Sequence, residues 1–332
     1  MAGWDLKSGE ITEYAVSEDK IWSLFNYVFS DASKKRNTYK FGLVKSLLDS
    51  VFNGVQKENG IYYSFRELFE HFTYNYWNLI VKYDLRQMRK DKRSTYSRLE
   101  VVFQEAIVKN PIISNLEFES IDEKLKADII SKVTKECKRC VVGALYEDFD
   151  GIIYSFDVKE EGLTLNPLVY DFMLKHKSEL EKLNYFAWAK FLEQINDDSA
   201  LIRVLGKLEM ATPRREDLSI YREILRKEFE ENTCFYCGRP LHRAIHVDHF
   251  IPWSFVKDDK IWNFVLACPE CNLKKNNRLP DRKYLLIIED RNKKMIETDD
   301  LLVQADIQNY NDELLNRMWA YAKMSGLKEY KR

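Results

Sequence analysis

Over residues 11 to about 146, apolar side chains recur every three or four positions, as at Ile21, Leu24, Phe25 and Val28, and again at Phe65, Leu68, Phe69, Phe72 and Tyr76. That is the spacing of one helix face, and it predicts an α-rich first half. Turn and helix-stop signals at Ser30-Asp31-Ala32-Ser33, Asn53-Gly54, Asn59-Gly60 and Asn110-Pro111 divide it into helices of ordinary length. The period changes over residues 151–157, which alternate loosely and are rich in β-branched and aromatic side chains; with residues 162–165 they predict a small hairpin. Helical spacing returns after Asn166-Pro167 and runs to about Ile195, followed by a short helix from Ala200 and another over residues 215–229. Beyond Leu279-Pro280, apolar positions at Tyr284, Leu285 and Ile288, and at Leu314, Leu315, Met318, Trp319 and Ala322, predict two closing helices packed back on the helical body. The chain reads as mainly α.

At 332 residues the chain is long enough for two or three domains of roughly 150 residues or less. No repeat or low-complexity linker marks a boundary. The expected division is a helical recognition or sensing region at 1–146, a helical connecting region with the hairpin at 147–231, a compact finger at 232–282 and closing helices at 283–332. With 52 Lys and Arg against 53 Asp and Glu, no overall basicity recruits nucleic acid, so any such surface is a local patch. The charged start Met1-Ala2-Gly3-Trp4-Asp5-Leu6-Lys7 lacks the apolar core of a signal peptide, and no window resembles a membrane span. A soluble, cytoplasmic protein without a membrane partner is expected.

All six cysteines fall in C-x-x-C pairs: Cys137/Cys140, Cys234/Cys237 and Cys268/Cys271. In a large intracellular chain this spacing points to metal or redox chemistry before disulfides. Cys234-Phe-Tyr-Cys237-Gly238 and Cys268-Pro-Glu-Cys271-Asn272 are knuckles able to grip one Zn²⁺ tetrahedrally, and four thiolates imply a closed, structural site. Cys137 and Cys140 lie in an apparent helix with no second knuckle, and are read as helix-face thiols.

Between the knuckles stand His246-Val-Asp248-His249-Phe-Ile-Pro252 and, further on, Trp262-Asn263, before Cys268-Pro-Glu-Cys271-Asn272-Leu-Lys274-Lys275. This ordered set of Asp-His, Asn and Asn resembles the HNH endonuclease family, a ββα-metal finger often braced by a four-cysteine zinc, over roughly residues 232–282. The stretch from Pro252 to Asn263 also resembles the HNH domain of the RNA-guided CRISPR effector nuclease; the likeness is to that module alone and implies nothing about a guide RNA. The resemblance implies that His249 is the general base that deprotonates water, that Asp248 and Asn272 ligate the catalytic divalent ion, and that Asn263 orients the histidine-bearing loop. The last position of the signature is Asn rather than His.

These residue types suit phosphodiester hydrolysis, which needs a deprotonated water in line with the scissile bond and neutralisation of charge on the phosphorane and the leaving 3′ oxygen. An ion held by a carboxylate and an amide oxygen leaves open positions, and Mg²⁺ or Mn²⁺ suits that oxygen shell. Lys274, Lys275 and Arg278 follow on the same short helix as candidate phosphate contacts. His246, three residues before His249 and so on the opposite strand face, is read chiefly as a packing or solvated residue and secondarily as a contact to substrate or metal.

Two basic runs interleaved with tyrosines, Lys34, Lys35, Arg36 and Lys40 beside Tyr39, and Arg86, Arg89, Lys90, Lys92 and Arg93 between Tyr83 and Tyr96, are candidate DNA-backbone contacts. Residues 36–48 with 64–69 are similar to N-terminal modules of some HNH restriction proteins that read modified DNA, which favours recognition or sensing for the helical half. The expected function is a metal-dependent DNA endonuclease in restriction or anti-phage defence, with structural zinc and catalytic Mg²⁺ or Mn²⁺. A nuclease of low sequence specificity gated by a protein partner or second messenger is one alternative. A non-catalytic zinc module binding nucleic acid is another. A double-strand cut by one active site calls for a homodimer or two successive nicks.

Overall fold

The computed structural model describes residues 5–90, 95–211, 218–227, 229–242 and 244–331. The chain is mainly helical and forms two compact units, residues 1–214 and 215–332.

In the first unit the expected helices form at Glu18–Phe29, Tyr39–Asp49, Phe65–Trp77, Arg98–Lys109 and Glu123–Asp148. Several begin at side-chain caps. Ser17 and Ser64 accept from the backbone N–H three residues on, and Ser97 with Glu100 forms a reciprocal capping box. The unit's core is dense in rings: Trp77, Tyr76, Phe72, Phe69, Trp188 and Phe103 are all essentially inaccessible to solvent.

The hairpin expected after residue 150 is present but is part of something larger. Strands β1 (Ser8–Gly9), β2 (Val55–Lys57), β3 (Gly60–Ser64), β4 (Tyr154–Asp157) and β5 (Gly162–Leu165) form one antiparallel sheet in the order β1-β4-β5-β3-β2. The Asn59-Gly60 signal is thus the turn of a second hairpin rather than a break between helices. Gly60 sits at φ +144°, and a Cβ there would lie 2.1 Å from the Leu165 carbonyl oxygen, so the close approach of β3 to β5 requires glycine. Strands from both sides of residue 146 share this sheet.

Helices Pro167–Lys175 and Lys177–Glu193 follow, the first opened by Asn166 as cap and proline at its first turn. Of the basic runs, Lys40 pairs with Asp148 at 2.6 Å, Arg86 donates to the Thr95 carbonyl, and Arg89 donates to Gln194 and lies over the Phe191 ring. Each of these three cations thus has a partner within the fold. Lys92 and Arg93 lie outside the described residues. Cys137 is buried and Cys140 exposed on the helix Glu123–Asp148, and burial holds the Cys137 thiol far above the usual range, a protonated core side chain.

In the second unit, the helix expected over 215–229 is described at Ser219–Lys227. Strands β6 (His246–His249) and β7 (Phe264–Ala267) pair antiparallel with His249 opposite Phe264 and His246 opposite Ala267, and the helix Pro269–Lys275 completes a ββα finger. Three helices close the chain rather than two, Lys283–Ile296, Leu301–Ile307 and Asp312–Met324; the middle one is a short segment started by Asp300, whose carboxylate accepts from the Leu302 and Val303 N–H groups. They bond to one another, as where Asn316 donates to Glu289, and to the finger. Arg291 donates to the Phe264 carbonyl at 2.7 Å and pairs with Glu231 at 2.6 Å, Asn292 donates to the Trp262 carbonyl, and Trp319 donates to the Pro280 carbonyl. Strands β8 (Leu279–Pro280) and β9 (Glu329–Tyr330) pair in parallel. No helix among the described residues is long and apolar enough to cross a membrane.

Candidate functional site

The two knuckles converge. The sulfurs of Cys234, Cys237, Cys268 and Cys271 all lie within 4.8 Å of one another, with Cys237 and Cys268 3.9 Å apart. Four thiolates at about 2.3 Å from a tetrahedral zinc would stand about 3.8 Å apart, so the cluster fits that ion. The first knuckle is shaped by backbone bonds from the Cys237 and Gly238 N–H groups to the Cys234 carbonyl, with Gly238 at φ +67°. The second knuckle opens the helix Pro269–Lys275, with Cys268 as its cap.

The donor chemistry agrees. Burial, then hydrogen bonding with Cys268 and the charge of Cys234, push the Cys271 thiol up to about 12. At Cys268 burial opposes ionisation but is outweighed by hydrogen bonds from Cys271 and Cys234, and its thiol is lowered. Of the two thiols of the second knuckle, the negative charge is thus favoured on Cys268. Arg239 donates to the Cys237 sulfur at 3.4 Å and pairs with Glu270. Hydrogen bonds from Lys274 and Arg239 hold the Glu270 carboxyl down at about 2.

This bracing places β6. The Phe235 N–H donates to the Leu266 carbonyl, tying the first knuckle to β7. Tyr236, inside the same knuckle, donates its hydroxyl to Asp248 at 2.6 Å. Burial, reinforced by the Asp248 charge, keeps that phenol protonated well above its usual range.

His249 is 3% exposed, its ring edge on Phe264 at 4.7 Å between centroids. Its Nε2 donates to Asp259 Oδ1 at 2.6 Å. A carboxylate partner fixes the proton on Nε2 and leaves the Nδ1 lone pair free to accept one. In the sequence Asp259 carries no signal beyond being half of an acidic pair in the connection between the two strands; its contact with His249 comes only with the fold.

Asn263 is buried and clamps one residue: its Oδ1 accepts from the Ile251 N–H at 2.8 Å and its Nδ2 donates to the Ile251 carbonyl at 3.0 Å. The loop leaving His249 is thereby fixed at its second residue. The Asn263 carbonyl also accepts from the Phe250 N–H.

Asn272 and Lys275 lie three apart on the short helix, on one face. Asn272 Nδ2 donates to His246 Nδ1 at 2.8 Å. Lys275, expected at a phosphate, differs from that expectation. It is fully buried, its ammonium 3.0 Å from Asp248 Oδ2 and 2.7 Å from the His249 carbonyl, so it holds the Asp-His dipeptide from beneath. Lys274 is exposed and bonded to Glu270, and Arg278 is exposed.

His246 and Asp248 alternate onto the same face of β6, and Asn272 meets that face from the helix. The opposite-face relation expected between His246 and His249 therefore sets His246 with Asp248. Tyr236 and Lys275 occupy part of the Asp248 carboxylate, whose two oxygens offer about four acceptor positions, so capacity for a cation remains.

No curated protein and no solved structure matches the chain. The family model described as HNH endonuclease matches residues 234–278, from the first zinc-knuckle cysteine to just past the Lys275 that supports Asp248. The chain carries an HNH endonuclease domain in its second unit.

Proposed function

We propose that the chain is a metal-dependent DNA endonuclease acting in restriction or anti-phage defence, with Asp248, His249, Asn263 and Asn272 as its catalytic set. The observation that carries this reading is the environment of His249: a buried imidazole, tethered through Nε2 and with a free Nδ1, next in sequence to a carboxylate on a strand that faces Asn272. His249 takes the proton of the attacking water at Nδ1, and Asp259 stabilises the resulting imidazolium. Asn263 holds the Ile251 backbone and so the angle at which the imidazole is presented. Lys275 and Tyr236 keep the Asp248 carboxylate from rotating away. A divalent ion on Asp248 and Asn272, Mg²⁺ or Mn²⁺, supplies charge neutralisation for the phosphate and the leaving 3′ oxygen. The four-cysteine zinc is closed and structural. Lys274 and Arg278, exposed on the helix side of the site, supply phosphate contacts, and the helical unit supplies recognition.

The test is cleavage of supercoiled plasmid with Mg²⁺ and then Mn²⁺, wild type beside His249→Ala, with EDTA as control and zinc assayed in both proteins. Cleavage falling by about 10²–10⁴-fold in the variant at unchanged zinc is expected. Equal cleavage by both proteins, or none by either, overturns the reading.

A further inference from the structure

We infer that His246 is a third protein ligand of the catalytic ion, and that its nitrogen makes the site prefer Mn²⁺, Co²⁺ or Ni²⁺ over Mg²⁺. This rests on the reading of Asp248 and Asn272 as ligands of that ion.

Three features of the geometry point there. His246 and Asp248 are two residues apart on β6, so both side chains leave the same face of the strand. His246 Nδ1 and the Asn272 amide terminus are 2.8 Å apart, close to the edge of an octahedron with bonds of about 2.1 Å, which is about 3.0 Å. The amide also has two ends. Without a cation, the NH₂ must face the ring nitrogen, because two lone pairs would repel; with one, a half-turn of the amide points Oδ1 at the same place, and oxygen and nitrogen lone pairs converge on the ion. His246 is only partly buried and no carboxylate orients it in the described structure, so a solvated or packing role would need no partner on the finger helix.

A carboxylate and an amide alone form a hard oxygen pair suited to Mg²⁺. Adding an imidazole moves the set toward ions that accept nitrogen readily, in the order Mn²⁺ < Co²⁺ < Ni²⁺.

The experiment uses the full chain with its cysteine-bound zinc, which is diamagnetic, and Mn²⁺ as the probe. Electron spin-echo modulation of bound Mn²⁺ reports directly coordinated imidazole nitrogen, and titration reports affinity. Wild type is expected to show one histidine nitrogen coupling that disappears in His246→Ala but persists in His249→Ala. Mn²⁺ affinity should fall by about tenfold or more in His246→Ala, while the preference over Mg²⁺ narrows. His246→Asp, which restores an oxygen ligand, should recover Mg²⁺ binding with no nitrogen coupling. Zinc content and circular dichroism verify that each variant is folded. Mn²⁺ binding that requires Asp248 but shows no histidine coupling, or coupling that survives His246→Ala, overturns this inference and leaves the nuclease reading intact. Mn²⁺ binding indifferent to Asp248→Ala and His246→Ala alike overturns both.

Discussion

The buried His249 pairs with the half-buried Asp259, its Nε2 donating to Oδ1 at 2.6 Å across the connection between the two finger strands. The pair determines which imidazole nitrogen is basic and how the ring is aimed. Asp259→Ala should lower kcat by about 10–100-fold with little change in KM. Asp259→Asn, whose side-chain oxygen can still accept from Nε2, should recover much of the loss. The check is plasmid cleavage kinetics together with ¹⁵N spectra of the histidine ring at fixed pH. Wild type and Asp259→Asn are expected in the Nε2–H form and Asp259→Ala in a mixture; an unaltered spectrum in Asp259→Ala contradicts the assignment.

Asn263→Ala removes both bonds to Ile251 and leaves its buried N–H and carbonyl without their partners. A destabilisation of about 1–3 kcal/mol per orphaned group is expected from denaturant unfolding. Cleavage should fall further than the unfolded fraction explains, because the loop after His249 loses its anchor. Activity that merely tracks the folded population would remove Asn263 from the positioning set.

Lys275→Met leaves Asp248 as a buried carboxylate without its cation. Breaking one side of a buried pair costs about 3–5 kcal/mol. Unfolding midpoints in urea measure this. A companion variant, Lys274→Met, alters only an exposed pair with Glu270 and should change stability by no more than about 1 kcal/mol.

Zinc should be part of the second unit's folding free energy. One equivalent per chain is expected by elemental analysis, and Cys271→Ser or prolonged chelation should release it and lose the ellipticity of the finger, since structural zinc contributes on the order of 10–16 kcal/mol in isolated fingers. Chelators that strip Mg²⁺ but leave zinc should stop cleavage without unfolding. Full stability in a zinc-free protein would contradict the structural role.

In the helical unit, burial, and secondarily the charge of Lys40, lower the Lys35 ammonium to about 8 from its ordinary 10.5. Its hydrogen bonds go to the Ser30 and Ser33 carbonyls. Below pH 8 both folded and unfolded chains carry this charge, and the fold bears its unfavourable placement. Between pH 8 and 10.5 the native state releases the proton first, so the unfolded state binds more protons and stability from this group rises with pH. Lys35→Met should therefore be more stable than wild type at pH 7, with the gap closing over pH 8–10.5 in thermal melts.

Much of this was legible in the sequence, for reasons that can be named. The knuckles, the Asp-His dipeptide and the two asparagines announce themselves because the family match they carry, over residues 234–278, restricts residue type and spacing. The helices announce themselves because one apolar stripe recurs at a fixed period. The second hairpin was hidden because Val55–Lys57 and Gly60–Ser64 are short, and only pairing with β5 makes them strands. The burial of Lys275 against Asp248 is not legible because a lysine in a basic stretch resembles a surface residue until its counter-charge is located. Asp259 and Tyr236 act through space, and no periodicity records a partner ten or twelve residues away.

Arg291, Asn292 and Trp319 all reach back to main-chain carbonyls of the finger or its exit, at Trp262, Phe264 and Pro280. The recognisable motif is thus shorter than the object that must be inherited intact. A transplant of residues 234–278 into another scaffold would carry every finger residue named in the proposed chemistry yet leave the Trp262 and Phe264 carbonyls without these donors and omit Pro280 altogether. Exchange between proteins, natural or engineered, should respect a seam near residue 215, so that the helix Ser219–Lys227, whose Tyr221 ring packs on Phe264, stays with the finger, and should retain the strand at Glu329–Tyr330; the unit of recombination is more than twice the length of the signature that identifies it.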